Sequence, residues 1–425
     1  MLLETRRPLR SRLRKAAPSA DASAGDAVRL CREADALAAA GRTGEAERGY
    51  RAALALDPRL AGAHNNLGNA LRTLDRVAEA VECYRAALAN GLDHPLVYYN
   101  LGSALRHLDR MSEAEQAFRR ALALQPEYAE AWNNRANLLR DLERLEDSAV
   151  GYRRAVTLRP DWEDAHDNLQ GALYLLHEQG QTAAAERLAR LWRRDHPDNP
   201  LARHIGAAIA GDAAEPRASD DYVRQTFDLF AAEFDSKLAE LGYRAPALLA
   251  EALGRLGPVP DRTLAVLDAG CGTGLCAAAL RPYAATLTGV DLSAGMLDLA
   301  RARKLYDRLE EAELGHFLAD HPAAFDLILA ADVLCYFGVL DEVLAAAAAA
   351  LRPGGLLAFT VERLDDAAGM PYRIAPHGRY AHREEYVRGV LERAGLSVRQ
   401  AGHDTLRQES GEPVAGLVMV AVRPA

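Results

Sequence analysis

The sequence predicts a multidomain chain: an all-α stack of repeated helix pairs followed by a doubly wound α/β domain. Three observations predict it. A 34-residue period runs through the first half of the chain. An apolar run leads straight into a glycine-rich loop at "LAVLDAGCGTGL", 264–275. From 264 onward, apolar strand patterns alternate with helical ones: "TLAVLDAG", "AATLTGVDL", "FDLILAADVL" and "GGLLAFTVE".

Size and composition bound the alternatives. A chain of 425 residues holds two or three domains of about 100–200 residues each. Hydrophobic content of 49% and charged content of 26% fit a soluble globular protein. No stretch supplies about 18 uninterrupted apolar residues, so no membrane span is expected. The net charge of −9 argues against nucleic acid as a partner. Residues 1–26 read as a disordered basic arm; its first 20 residues hold Arg6, Arg7, Arg10, Arg12, Arg14 and Lys15 against Glu4. No apolar core follows them, so a secretory signal is not expected; an organelle transit peptide shares the composition. Five scattered cysteines and no Cys-x-x-Cys pair point to a reducing cytoplasm and to no structural metal.

The repeat is read from aligned positions. Tyr50, Tyr84, Phe118 and Tyr152 stand 34 residues apart. Ala46, Ala80, Ala114 and Ser148 precede them by four; Ala53, Ala87, Ala121 and Ala155 follow by three. Pro58, Pro126 and Pro160 follow by eight, with Leu92 in the second unit. Small residues let two helices approach, the aromatic fills the gap to the next unit, and proline ends the second helix. These offsets resemble the tetratricopeptide repeat. Units are expected at 27–60, 61–94, 95–128 and 129–162. Residues 163–196 keep His166 and Leu169 but carry an apparent insertion at "HEQGQ", giving a degenerate fifth unit or a cap within a repeat domain of 27–210.

Such repeats stack into a superhelix with a concave groove. Asn66, Asn100, Asn134 and Asn168 recur sixteen residues after each aromatic, and Arg72, Arg106 and Arg140 recur six residues further on. Side-chain amides suit a peptide backbone and arginines suit carboxylates. The expected partner is a protein or peptide, extended and acidic, in the groove. The competing reading is that asparagine merely frames the groove.

"GDAAEPRAS", 211–219, reads as the linker to a domain at 220–425. Phe227, Phe230 and Phe234 share one helix face and either pack on the sheet or cover the substrate pocket.

The glycine loop excludes two ligand classes. A P-loop needs Gly-Lys-Ser/Thr, but Leu275 and Cys276 follow Gly274. A dinucleotide loop needs a third glycine at 275, where Leu275 stands. The spacing present is D-x-G-x-G-x-G: Asp268, Gly270, Gly272 and Gly274. With Asp291 closing "TGVD", "FDLI" and "LRPGG" in order, it resembles the class I S-adenosylmethionine-dependent methyltransferases. The resemblance covers about 220–425. It implies a Rossmann-like, seven-stranded, mostly parallel sheet and S-adenosylmethionine as cofactor. It further implies contacts from Asp268, Gly270, Cys271, Gly272 and Gly274. Asp268 would lie near the methionine ammonium and the sulfonium, Asp291 at the ribose, Leu292 and Glu313 at the adenine, and Asp332 at the mouth of the fourth strand.

The implied reaction is methyl transfer to an unidentified acceptor, with the repeats recruiting a protein partner or substrate. The alternative is a non-catalytic cofactor-binding scaffold. A base is needed only for an acceptor such as a hydroxyl. His382 and Tyr336 are the candidate catalytic side chains. In the polar stretch after the fifth strand, Arg379 and Tyr380 are the candidate acceptor contacts; equally, these residues and His382 pin that loop. Cys271 faces cofactor without an evident base and is not expected to be a nucleophile.

Overall fold

The computed structural model describes residues 20–212, 215–256, 258–365, 369–409 and 411–425. Of the basic arm expected over 1–26, residues 1–19 lie outside this set, and residues 20–26 already form helix. The chain divides into two units, Met1–Ala165 and His166–Ala425.

In the first unit the 34-residue period becomes helix pairs. They are α1 (Ala20–Ala39), α2 (Thr43–Leu56), α3 (Ala61–Thr73), α4 (Val77–Ala89), α5 (Pro95–His107), α6 (Met111–Leu124), α7 (Ala129–Asp141) and α8 (Leu145–Leu158). The aligned aromatics Tyr50, Tyr84, Phe118 and Tyr152 are buried, as are the aligned alanines. α2, α6 and α8 stop two residues before Pro58, Pro126 and Pro160, where proline cannot continue a helix. A Cβ on Gly68 would stand 2.6 Å from the Tyr84 ring. Gly68→Ala therefore lowers the stability of this unit by about 1–3 kcal/mol through overpacking. Gly62→Ala, in the same helix with open space around it, leaves the thermal midpoint unchanged or higher.

One recurrence escaped the sequence reading. Gly41, Asp75, Asp109 and Glu143 hold φ of 73°, 60°, 59° and 58° between the two helices of each unit. The next residue, Arg42, Arg76, Arg110 or Arg144, pairs with an acid three positions on, at 2.6–2.7 Å. Each exposed pair contributes little alone, but together they mark the same turn four times.

The asparagines are a correction. Asn66 donates to Asp35 Oδ1 (2.8 Å) and Asn100 to Asn69 Oδ1 (3.1 Å). The same two oxygens accept the Tyr50 and Tyr84 hydroxyls, each at 2.8 Å. Asn134 donates to the Tyr99 hydroxyl (2.9 Å). The amide N–H groups expected to meet a peptide instead stitch each repeat to the one before. Arg72, Arg106 and Arg140 sit in the last turns of α3, α5 and α7, where a cation favours the helix dipole; Arg106 is paired with Asp141. Asn100→Ala should therefore lower the thermal midpoint, at about 1 kcal/mol for the lost bond. An unchanged midpoint would restore the groove reading.

The second unit starts inside α9 (Glu163–Glu178), where Asn168 lies, and continues through α10 (Thr182–Asp195) and α11 (Pro200–Ala210). α9 has 16 residues against 13 in α3, α5 and α7, so the apparent "HEQGQ" insertion lengthens α9. α11 is joined to the later part of this unit: the buried His204 donates to the Gly378 carbonyl at 2.8 Å. Within the expected linker 211–219, residues 216–218 are not free either. Ala218 N–H donates to Tyr336 O (2.8 Å), and Gly338 and Val339 N–H donate to Pro216 O (2.8 and 2.9 Å). The break between units thus falls earlier than the composition of 211–219 implies.

α12 (Asp220–Phe230), α13 (Phe234–Glu240) and α14 (Ala245–Leu256) precede the sheet. Its strands are β1 (Leu264–Ala269), β2 (Ala284–Asp291), β3 (Arg308–Glu311), β4 (Phe325–Ala330), β5 (Leu351–Arg363), β6 (Tyr372–Ile374), β7 (Tyr380–His382), β8 (Ser397–Glu409) and β9 (Glu412–Val422). Strands β3-β2-β1-β4-β5 run parallel; β9 is antiparallel to β5, and β8 to β9. That path supplies the seven expected strands. Two more, β7 on the end of β5 and β6 on β7, come from the polar stretch after β5, so the described sheet has nine. The order reverses between β1 and β4, and ligands of such sheets sit at that switch point. No helix among the described residues is long and apolar enough to cross a membrane.

Candidate active site

The loop after β1 is built from backbone that side chains resist. Gly270, Gly272 and Gly274 have φ of 64°, 52° and 88°, the left-handed region that favours glycine. A Cβ on Gly270 would stand 2.4 Å from a Val333 methyl. Cys271 N–H donates to Val290 O (2.9 Å), tying the loop to β2.

Asp291, at the end of β2, anchors the loop further. Its Oδ2 accepts Gly272 N–H (2.8 Å) and its Oδ1 accepts Ser293 N–H (3.0 Å). Burial raises its pKa, opposed by these N–H donors. Two aspartates from the helices before the sheet brace the same loops. Asp228 of α12 accepts Ser293 Oγ (2.5 Å) and Gly295 N–H (3.3 Å). Asp235 of α13 accepts Thr273 Oγ1 (2.5 Å) and pairs with Arg303. Neither aspartate stands out in the sequence, because its partners are some 40–70 residues away.

The loop opens on a cavity of about 450 Å³. Its wall includes Gly270, Cys271, Gly272, Asp291, Leu292 and Glu313, together with Asp332, Tyr336 and Arg379. Phe227, Phe230 and Phe234 line it as well, so these aromatics face the pocket. Glu313 also caps the helix Leu314–Ala319, accepting His316 N–H at 2.7 Å.

Four expected site residues lie elsewhere. Asp268 is buried beneath the loop and accepts the Tyr306 hydroxyl at 2.5 Å; burial raises its pKa to about 7. It and Gly274 are not in the cavity wall. Tyr380 is buried and donates to the Glu215 carbonyl (2.7 Å). His382 is fully buried, with Nε2 against the carbonyls of Phe337 (2.8 Å) and Gly338 (3.2 Å). Burial lowers its pKa to about 4. It fastens β7 to the 337–338 turn and is not on the pocket, which rules it out as a base.

This burial sets a pH dependence. His377 is lowered to about 4 too, first by burial and then by the adjacent Arg379. Both rings stay neutral in the folded chain, whereas unfolded histidine takes a proton below about pH 6.5. Their contribution is fully present above about pH 6.5 and lost as pH falls toward 4. The loss is on the order of 1–3 kcal/mol per ring. Denaturant midpoints at pH 7 and pH 5 check this: His382→Gln, which keeps a donor for Phe337 O, should flatten the slope.

Sequence reasoning missed an ionic cluster on the pocket wall. Arg407 of β8 donates to Asp332 Oδ2 (2.7 Å) and Glu409 Oε1 (2.6 Å) and pairs with Glu362. Arg379 donates to Glu362 Oε1 (2.7 Å) and pairs with Glu409. Asp332 holds φ 54°, kept there by Thr360, which accepts its N–H (2.9 Å) and donates to its Oδ1 (2.8 Å). The two guanidiniums outweigh burial and keep Glu362 and Glu409 below the usual carboxylate range. No cluster of three His, Cys, Asp or Glu among the described residues could hold a metal ion.

Comparison with known families agrees with this geometry. Residues 241–401 match a family model described as a methyltransferase domain. Residues 31–91, 68–129 and 99–165 match one described as a tetratricopeptide repeat. The chain carries tetratricopeptide repeats and a methyltransferase domain. Methyltransferase-like protein 27 of Homo sapiens is 43% identical over 105 residues, 24% of this chain and 43% of that protein. A ubiquinone biosynthesis O-methyltransferase of Chelativorans sp. is 33% identical over 115 residues, 26% of this chain and 46% of that protein. The chain thus spans less than half the length of these curated relatives. Among solved structures, an S-adenosylmethionine-dependent methyltransferase from Mesorhizobium loti is 24% identical, with a TM-score of 0.34, over 41% of this chain and 96% of that one. YrrB, a TPR protein with an unusual peptide-binding site, is 22% identical, with a TM-score of 0.36, over 44% of this chain and 98% of that one.

Proposed function

We propose that the methyltransferase domain binds S-adenosylmethionine and transfers its methyl group to an acceptor in the same cavity, while the repeats bind a protein or peptide. One observation carries the reading: the positive-φ loop residues Gly270 and Gly272, with Asp291 and Glu313, share a cavity with Asp332 and Tyr336.

The wall fits that cofactor. Gly270, Cys271 and Gly272 leave room for close backbone approach. Asp291 uses one lone pair on each oxygen for the loop and keeps others for ribose hydroxyls. Leu292, Met296 and Leu314 offer apolar faces for a base, with Glu313 beside them. When bound, the cofactor supplies an electrophilic methyl carbon whose bond to sulfur breaks with the electron pair left on sulfur. The protein's share is positioning and exclusion of water. Phe227, Phe230 and Phe234 line the cavity, and Asp228 and Asp235 hold their helices to the cofactor loops.

The test is transfer of labelled methyl from S-adenosylmethionine into a cell lysate separated into protein and small molecules. Label that depends on the active chain supports the enzyme. Tight cofactor binding with no label in either fraction favours the scaffold.

A further inference from the structure

Resting on that reading, the geometry points to the class of acceptor: an aromatic small molecule methylated at a hydroxyl, recognised by Glu409 and Arg379. The ionic cluster on the cavity wall is nearly saturated. Arg407 uses Nε, Nη1 and Nη2 on three carboxylates. Asp332 uses both oxygens, on Thr360 and Arg407. Glu362 Oε1 accepts from both arginines, and Glu362 Oε2 faces His377 at 3.7 Å. Glu362 is not in the cavity wall; of the cluster atoms on residues that line it, two make no hydrogen bond among the described residues: Arg379 Nη1 and Glu409 Oε2. Neither is a sealed, unsatisfied polar atom, and both residues line the cavity.

One remaining donor and one remaining acceptor select among polar groups. An ammonium has donors only and would meet Arg379 with like charge. A carboxylate has acceptors only and would meet Glu409 with like charge. A hydroxyl donates to Oε2 and accepts from Nη1, so it satisfies both. The same wall carries aromatic rings: Phe227, Tyr336 and Phe337 line it, with the Phe227 and Tyr336 rings edge to face, centroids 5.6 Å apart. Edge-to-face aromatic walls suit another flat ring. On transfer the hydroxyl oxygen gains the methyl carbon through a lone pair, and its proton passes to Oε2.

Four probes of similar size test this by calorimetry on the full chain with S-adenosylhomocysteine present. They are 4-methylphenol, 4-methylbenzoate, 4-methylbenzylamine and para-xylene. The phenol should bind at least about tenfold tighter than the other three, the worth of a satisfied polar pair. Glu409→Gln and Arg379→Lys should each shrink that preference while leaving S-adenosylhomocysteine affinity within about twofold. If the variants do not fold, the ranking on the unaltered chain still decides. Benzylamine, benzoate or xylene binding as tightly as the phenol overturns the proposal and leaves the cofactor reading standing. No binding of S-adenosylhomocysteine overturns the cofactor reading and this proposal with it.

Discussion

Gly270→Val should weaken S-adenosylhomocysteine binding by about a hundredfold. Two costs add. A β-branched residue at φ 64° loses about 1–2 kcal/mol to left-handed strain. A Cβ 2.4 Å from a Val333 methyl forces the loop or Val333 to move, at about 1–3 kcal/mol. Together these come to about 3 kcal/mol, or two decades of affinity. Val333 is itself in the cavity wall, so any relief distorts the pocket. Gly254→Ala, with nothing within reach of its new methyl, is the control and should bind as the unaltered chain does. Equal binding by the two variants would contradict the assignment of the loop.

Arg407→Met should give the largest loss of stability, about 3–5 kcal/mol. The guanidinium is almost wholly buried and bridges Asp332, Glu362 and Glu409. Removing it leaves three carboxylates packed together with only Arg379 to offset them. Like charges in a dry site raise carboxylate pKa values. In the variant the folded chain would then hold protons that the unfolded chain releases. Its stability is therefore greatest at low pH and lost as pH rises through those raised values. The deficit relative to the unaltered chain should shrink between pH 7 and pH 5. A deficit that stays constant would mean the loss is packing rather than charge.

The sequence disclosed what depends on local spacing. The 34-residue period placed helix pairs because each mark acts within one unit or on its neighbour. The loop at 270–274 was legible because the need for positive φ leaves glycine as its trace. Asp291 and Glu313 were legible from their position at strand ends, and both line the cavity. What the sequence concealed depends on distant partners. Asp332, Glu362, Arg379 and the β8 pair Arg407 and Glu409 come from four separate segments that the sheet order brings together. His382 looked like a base because Arg379, Tyr380 and His382 resemble an Arg-Tyr-x-His stretch of similar sequences. Its place in the short pairing of β7 with β5 turns it inward. Asp268 had the right spacing, but Tyr306, 38 residues on, takes its carboxylate. The asparagines recur with the repeat because they join one repeat to the next, and recurrence alone does not tell a binding ladder from a structural one.

The central claim is that the aromatic-lined cavity holds a sulfonium nucleotide through Asp291. Calorimetric titration of the full chain with S-adenosylmethionine, beside Asp291→Ala, tests it most directly. The account predicts one site per chain, weakened at least about tenfold by the substitution, the worth of hydrogen bonds to a charged group. Absence of binding, or binding that Asp291→Ala leaves unchanged, would contradict it.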